Sequence, residues 1–279
     1  MSVILLTGAT GFVGQQILKI LQENGHKLHL VIREGSQSRI TNIQDIERVI
    51  STPDLFAESS IWWQKVCEGV DIVIHSAWYA EPGQYLQSDK NLDCLVGTLN
   101  LAKGATNAGI KKFIGIGTCF EYAISDKPLN IDTPLEPLTQ YAAAKAACFI
   151  SLSQYFLFKK VDFLWCRLFY LYGENEDSRR LVSYIRNKLS NNEVVELTSG
   201  SQIRDFIDVK DAAKQIVDAF ESNLIGGANI CSGTSISVRE LAEKIADEFG
   251  RRDLLKFGAR QENLIDPPLV VGVKTEPLL

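Results

Sequence analysis

The stretch Val3-Ile4-Leu5-Leu6-Thr7-Gly8-Ala9-Thr10-Gly11-Phe12-Val13-Gly14 decides the fold of this chain. Its apolar start predicts a strand that is buried on both faces, as in a parallel sheet. The residues after the glycines have the apolar spacing of a helix. Such a unit can hold a pyrophosphate, because Gly8 permits a tight turn, Gly11 lets backbone N–H groups approach the phosphates and Gly14 lets helix and strand pack closely. The alternative is a glycine turn without a ligand.

The composition limits the class of protein. The 279 residues are 46% hydrophobic, enough for one large α/β domain with or without a smaller lobe. The net charge of −5 argues against nucleic acid as a partner. Six cysteines without a CxxC pair and three histidines predict no metal site, and we expect reduced, buried thiols. No apolar run is long enough to cross a membrane and no signal peptide precedes the first strand, so a cytoplasmic protein is expected.

Strand and helix patterns alternate along the first 170 residues, which predicts a doubly wound parallel sheet. Strands are expected at 27–33, 48–51, 70–77, 111–117 and 162–168, with helices at 91–109 and around Tyr141. Further on, we expect helices at 178–190, 209–222 and 237–249 and short strands at 194–197 and 228–231. The looser pattern after residue 170 predicts a first domain over 1–170, which can bind a dinucleotide through its glycine turn, and a lobe over 171–279 that is interleaved with late elements of the first domain.

Three polar residues form the candidate catalytic group. Tyr141 and Lys145 are four residues apart and therefore lie on one face of the predicted helix. A nearby ammonium stabilises a phenolate, so we expect Lys145 to lower the pKa of Tyr141. Thr118 follows the preceding strand and can hydrogen-bond the same substrate oxygen. A tyrosine and lysine at this spacing are also common by chance, but here they follow a glycine-rich turn and a strand that ends in threonine.

The stretch from Thr7 to Gly14 closely resembles the fingerprint of the extended short-chain dehydrogenase/reductases. This family includes nucleotide-sugar epimerases, dehydratases and reductases. Further motifs occur in the family's order, including the segments 91–101, 167–173 and 202–209. The resemblance implies a Rossmann-type fold with a smaller C-terminal substrate lobe. It also implies that Tyr141 is the acid/base, that Thr118 orients the substrate oxygen, and that Lys145 additionally binds the nicotinamide ribose.

The resemblance also implies a set of cofactor contacts. Arg33 ends the second strand, where an NAD-preferring site has an acid, and an arginine there suits a 2′-phosphate. NADP is therefore the preferred cofactor, while Glu34 keeps NAD open and a solvated arginine is the alternative role of Arg33. The implied cofactor-binding residues are Gly8, Thr10, Gly11, Phe12, Val13, Gly14, Arg33, Asp54, Leu55, Ala77, Tyr141 and Lys145.

Substrate contacts are expected at the carboxyl edge of the sheet and in the later lobe. Tyr170 stands where the family has a substrate-contacting asparagine, which puts that contact in doubt. In the family the arginine at this position binds the substrate diphosphate, and the resemblance implies the same role for Arg204. The alternative is a structural Arg204–Asp205 pair. Glu121 is either a polar contact or a structural carboxylate, and His75 is expected to be structural. The expected substrate-binding residues are Trp78, Glu121, Tyr170, Arg180, Arg204 and Arg260.

Epimerases, dehydratases and reductases of the family share this catalytic group, so its presence does not distinguish among the three activities. A dehydratase carries an Asp-Glu pair directly after the threonine, whereas Cys119-Phe120 follows Thr118 here. We therefore expect an NADP-dependent reductase of a nucleotide-linked 4-keto-6-deoxy sugar, with a nucleotide-sugar 4-epimerase that holds NAD tightly as the alternative. A non-catalytic NADP-binding regulator is the alternative of another class.

The resemblance implies a homodimer formed by the helices at 92–109 and 140–158. The chain ends at Pro277-Leu278-Leu279 without the family's Gly-Trp-x-Pro segment, so an abbreviated terminal lobe is expected.

Overall fold

The computed structural model of the chain describes residues 2–40, 42–262 and 267–275, so the terminal Pro277-Leu278-Leu279 lies outside the described residues. Seven α-helices are described: α1 Phe12–Glu23, α2 Ser60–Val66, α3 Lys90–Ala108, α4 Gln140–Lys159, α5 Leu181–Ser190, α6 Val209–Glu221 and α7 Val238–Phe249. The strands of the described residues are β1 Val3–Thr7, β2 Lys27–Arg33, β3 Arg48–Thr52, β4 Ile72–His75, β5 Lys112–Thr118, β6 Asp162–Leu168, β7 Tyr170–Tyr172, β8 Val195–Glu196, β9 Ile203–Arg204, β10 Phe206–Asp208, β11 Gly226–Ile230, β12 Ile236–Ser237, β13 Leu255–Lys256 and β14 Leu269–Val270.

A seven-stranded parallel sheet forms the centre of the molecule, in the order β11-β6-β5-β4-β1-β2-β3. Helices α1 and α6 pack on one face, and α2, α3 and α4 cover the other. The strand order reverses between β1 and β4, and in open α/β sheets ligands bind at the carboxyl ends beside such a reversal. The predicted doubly wound, Rossmann-type sheet is confirmed.

The long elements agree with the sequence patterns. Strands β2 and β6 have the predicted bounds, and β3 occurs where a short third strand was expected. Strand β4 is shorter than the predicted 70–77, because its ladder with β1 ends at His75. The short strands β7, β9, β10, β12, β13 and β14 were not predicted, since two or three residues cannot display a period.

A separate apolar cluster lies outside the sheet. Helices α5 and α7 pack together there with β8 and β13, through side chains such as Ile185 and Ile245. Between α5 and α7 the chain returns to the main sheet, where β11 forms an edge strand and α6 packs beside α1. Late elements are therefore interleaved with the first part of the fold. The division at residue 170 stays a prediction.

Other sequence expectations concern thiols, membranes and metals. All six cysteines are free and buried, as predicted. Within the described ranges, no helix is long and apolar enough to span a bilayer. The same residues contain no group of three or more His, Cys, Asp and Glu side chains arranged to hold a metal ion.

Candidate active site

A cleft of about 350 Å³ opens at the carboxyl ends of β1, β4, β5 and β6. It brings together the glycine turn, the three candidate catalytic residues and several predicted substrate contacts. The predicted residues that line it are Gly8, Gly11, Phe12, Val13, Gly14, Trp78, Thr118, Tyr141, Lys145, Tyr170 and Arg180. Residues more than a hundred positions apart in sequence therefore meet in one cavity.

The glycine turn is closed by a hydrogen bond from the Gly11 N–H to the Gly8 carbonyl oxygen at 2.9 Å. Gly8 has a positive φ of 76°, and a Cβ atom there would lie 2.6 Å from the Ala77 nitrogen. A Cβ at Gly14 would lie 2.0 Å from the Gly8 oxygen, inside any allowed contact distance. Side chains at Gly8 and Gly14 are therefore excluded by the close approach of β1, β4 and α1, as the sequence indicated.

This turn fits the pyrophosphate of a dinucleotide. Helix α1 begins at Phe12 beside the cleft, and Gly11 at its N-cap makes no side-chain cap. The first backbone N–H groups of a helix have no partner within the helix and attract anions. Thr10 belongs to the same turn, where its carbonyl oxygen accepts a hydrogen bond from the Gln15 side chain at 3.2 Å.

The remaining predicted cofactor residues lie on the neighbouring strand ends. Arg33 is exposed at the carboxyl end of β2, directly beside Thr52 of β3. Asp54 and Leu55 follow β3, and the Asp54 carboxylate accepts the Phe56 N–H at 2.9 Å. Ala77 follows β4 and is buried next to Gly8. These positions share the carboxyl edge of the sheet with the glycine turn, the edge at which open α/β sheets bind ligands.

Thr118 and Tyr141 both line the reacting end of the cleft. Thr118 ends β5, and Tyr141 lies in the first turn of α4, which Thr139 caps. The Tyr141 ring makes edge contacts with Tyr85 and Trp78, at centroid distances of 4.8 and 6.4 Å.

Burial raises the pKa of Tyr141 above its ordinary value, while the neighbouring Thr118 side chain acts in the opposite direction. The expectation that Lys145 lowers this pKa is wrong for the arrangement described. The Lys145 ammonium points instead to the Ile116 carbonyl oxygen at 2.5 Å and lies 3.8 Å from the centre of the Trp78 ring. Burial lowers the pKa of Lys145 to about 8.

His75 is structural, as expected. Its ring joins three elements, with Nδ1 2.8 Å from the Thr7 hydroxyl on β1 and Nε2 2.9 Å from the Thr98 hydroxyl on α3. Burial lowers the pKa of His75 to about 3, so the ring is neutral at physiological pH.

Glu121 is a correction to the expected substrate contacts. Its carboxylate is fully buried and forms an ion pair with Arg167, with 2.7 Å between Oε2 and Nε. It also accepts hydrogen bonds from the Thr118 N–H at 2.8 Å and the Trp165 indole at 3.0 Å. These partners occupy the carboxylate, so Glu121 supports the loop after β5 and does not face the cleft.

The predicted arginines are in different surroundings. Arg180 is half-buried at the start of α5 and lines the cleft. Arg204 is only 2% exposed, with its guanidinium 5.3 Å from the Tyr170 ring centre and a 2.8 Å bond to the Ile203 carbonyl. The cleft lining includes Tyr170 but not Arg204, and the expected grip of Arg204 on a diphosphate stays a prediction. Arg260 is exposed and stacks on Tyr184, also away from the cleft lining.

Tyr85, Glu176 and Phe206 are among the lining residues of the cleft that sequence patterns missed. Tyr85 lies in a short 3₁₀ turn and contacts Tyr141. Glu176 precedes α5, and burial raises the pKa of its carboxyl group. Phe206 packs against Tyr170. The aromatic pair Trp78-Tyr79 before Tyr85 was the one available signal, since it marked this loop as part of the site.

Known proteins resemble the chain over most of its length. The family model "NAD dependent epimerase/dehydratase family" matches residues 4–230. A dTDP-6-deoxy-L-talose 4-dehydrogenase (NAD(+)) from Aggregatibacter actinomycetemcomitans is 26% identical, covering 97% of this chain and 99% of that protein.

Solved structures have the same fold. A UDP-N-acetylglucosamine 4-epimerase from Methanobrevibacter ruminantium, in complex with UDP-N-acetylmuramic acid, has a TM-score of 0.84 at 23% identity, covering 98% of this chain and 90% of that one. A dTDP-glucose 4,6-dehydratase from Streptomyces venezuelae with NAD bound also has a TM-score of 0.84, at 19% identity, covering 98% and 88%. The cleft, its glycine turn and these matches make the chain a member of the NAD-dependent epimerase/dehydratase family, a nucleotide-sugar-modifying branch of the extended short-chain dehydrogenase/reductases with NAD(P)-dependent, oxidoreductase-type chemistry.

Proposed function

We propose that the protein is an NADP-dependent reductase of a nucleotide-linked 4-keto-6-deoxy sugar. The observation that carries the proposal is that Thr118, Tyr141 and Lys145 line the same cleft as the Gly8–Gly14 turn. The 26% identical relative supports the substrate class, because its name describes a dehydrogenase acting at C4 of a dTDP-linked 6-deoxy sugar. Reduction of a 4-keto sugar is the reverse of that reaction.

The chain's own residues divide the chemistry among them. Tyr141 donates the proton to the carbonyl oxygen of the sugar and Thr118 orients that oxygen, consistent with the position of both side chains in the lining of the cleft. The Lys145 ammonium binds the ribose hydroxyls next to the nicotinamide, and the backbone N–H groups of the Gly8–Gly14 turn bind the pyrophosphate. A bound nicotinamide supplies the hydride.

Water elimination is disfavoured by the residues after Thr118. A dehydratase needs an acid and a base at the sugar, but Cys119 and Phe120 occupy the next two positions. Glu121, the nearest carboxylate along the chain, is neutralised by Arg167 and fully buried. This arrangement supports a reaction that needs one proton donor.

The preference for NADP rests on Arg33. Its exposed guanidinium at the end of β2 stands where an acid binds the ribose hydroxyls in NAD enzymes. A planar guanidinium forms paired hydrogen bonds with a phosphate group. Structural relatives with NAD bound share the fold, so NAD is the alternative cofactor.

A homodimer is part of the proposal. Helices α3 and α4 contact each other and leave large apolar side chains exposed, with Val96 57% and Ile150 58% exposed. Pairing these helices with those of a second copy would bury this surface in a four-helix arrangement.

The competing function is a 4-epimerase, the activity named for the 23% identical structural relative. The two functions differ in how the cofactor is held, because an epimerase recycles a tightly bound NAD. The test is to release and quantify any nucleotide in the purified protein, and then to titrate it with NADPH and NADH by fluorescence. We expect no stoichiometric cofactor and tighter binding of NADPH. Stoichiometric NAD that co-purifies would overturn the reductase proposal in favour of the epimerase.

A further inference from the structure

The ammonium group of Lys145 is almost completely excluded from solvent. The side chain is 3% exposed, and its ammonium donates a hydrogen bond to the Ile116 carbonyl oxygen. The second close contact of the ammonium is the indole face of Trp78, with 3.8 Å between Nζ and the ring centre. Trp165 is more distant, at 5.7 Å. A cation over an aromatic face at the shorter distance is attracted by the ring, and the attraction grows when water is excluded.

The Glu121 carboxylate favours the charged form of Lys145, but its ion pair is with Arg167. The titratable groups that interact with Lys145 are Cys94 of α3, Cys148 of α4, His75 of β4 and Glu121 after β5. Burial raises the pKa of Cys94 to about 11 and that of Cys148 to about 12, so both thiols are protonated. His75 is neutral and Glu121 is paired with Arg167. Among the described residues, no carboxylate forms a salt bridge with Lys145.

The indole of Trp78 is itself fixed in place. Its Nε1–H donates to the side-chain amide oxygen Oδ1 of Asn91 at 2.9 Å. Asn91 is fully buried, and its amide NH₂ donates to the Tyr85 and Ser88 carbonyl oxygens at 2.6 and 2.8 Å. These two bonds leave the amide oxygen of Asn91 directed at the indole. The orientation of the ring over Lys145 is therefore set by a buried hydrogen-bond chain.

We propose that Trp78 is a positioning residue that holds the ammonium of Lys145 at the base of the cleft through its ring face, with Asn91 fixing the ring. Trp78 also lines the cleft, where contact with substrate is expected, and the positioning role acts through Lys145. Only one part of the inference rests on the proposed function, namely that the positioned Lys145 ammonium binds the ribose of the cofactor. The contact itself involves Lys145, Trp78 and Asn91 alone.

The contact can be measured as the pKa of Lys145 in the free protein. Protein labelled with ¹³Cε-lysine is titrated by NMR, and the Lys145 signal is assigned with the variant Lys145→Gln. Trp78→Phe keeps an aromatic face and Trp78→Leu removes it at similar volume, so both relieve burial to a similar degree. Because a ring face favours the charged lysine, we expect the pKa to be about one pH unit lower in Trp78→Leu than in Trp78→Phe. Trp62→Leu, on α2, is the matched control and should leave the pKa unchanged.

A second measurement avoids any loss of folding. Incorporation of 5-fluorotryptophan weakens the ring face at nearly constant volume, and we expect it to lower the Lys145 pKa in the wild-type chain. The same incorporation into Trp78→Phe measures the part of the pKa change that comes from the Trp165 ring. Equal pKa values in Trp78→Leu and Trp78→Phe, together with no response to fluorination, would overturn the inference. Neither readout needs substrate or nicotinamide, so a failure of the reductase proposal would leave this test intact.

Discussion

Replacing Glu121 by Gln should destabilise the protein strongly while leaving its cofactor site in place. Glu121 is fully buried, and Arg167, its ion-pair partner, is 1% exposed. The substitution removes the negative charge and leaves the guanidinium buried without a counter-ion. The new amide NH₂ would also face the donors of Trp165 and Arg167.

The size of the effect follows from this burial. Breaking a buried ion pair by removing one partner costs about 3–5 kcal/mol. At roughly 2 °C per kcal/mol for a chain of this length, the melting temperature should fall by about 6–10 °C. Thermal unfolding followed by far-UV circular dichroism measures this, with NADPH titration below the transition as a check on the site. Urea unfolding replaces it if heating is irreversible.

Glu81→Gln is the matched control. Glu81 pairs with Arg179 at the same 2.7 Å, but these side chains are 44% and 54% exposed. An exposed pair contributes about 1 kcal/mol at most, so we expect a loss of about 2 °C or less. If Glu121→Gln melts within 2 °C of the wild type and loses substrate binding, Glu121 is a substrate contact and the structural assignment is wrong.

Four further outcomes are expected. Gly14→Ala should abolish detectable NADPH binding in a fluorescence titration, because its Cβ would lie 2.0 Å from a backbone oxygen of the turn. Arg33→Glu should weaken NADPH binding roughly tenfold and leave NADH binding nearly unchanged, through loss of charge-assisted bonds to the 2′-phosphate. Ile150→Glu should convert a dimer to monomers in sedimentation velocity, whereas Leu138→Glu, equally exposed but outside α3 and α4, should not. NADPH affinity should fall as pH rises through about 8, where Lys145 loses its proton, and Lys145→Gln should bind weakly with no such pH dependence.

The sequence predicted those parts of the site that depend on backbone geometry and local spacing. The Gly8–Gly14 turn is constrained by contacts within one strand-turn-helix unit, so its glycines could be interpreted directly. Tyr141 and Lys145 share a helix, and Thr118 ends a buried strand, so the fold brings the three together.

The directions in which side chains point could not be predicted from the sequence. Nothing in the order of residues shows that Lys145 turns towards Trp78. Nor does it show that Glu121, which follows β5, turns inwards to Arg167 on the neighbouring strand β6. Tyr85 was missed because a short 3₁₀ turn has no hydrophobic period. Arg204 matched a family motif, but its exposure depends on the packing of Tyr170, which replaces the usual asparagine.

The most direct test of the proposed activity is the consumption of reduced nicotinamide in the presence of a 4-keto sugar. The purified protein is incubated with dTDP-4-keto-6-deoxyglucose and either NADPH or NADH, and absorbance is followed at 340 nm, with Tyr141→Phe as the control. We expect oxidation of NADPH in preference to NADH, formation of one reduced sugar, and a rate at least roughly 100-fold lower in Tyr141→Phe. Absence of any oxidation, together with interconversion of UDP-sugars without added cofactor, would contradict the reductase and establish the epimerase.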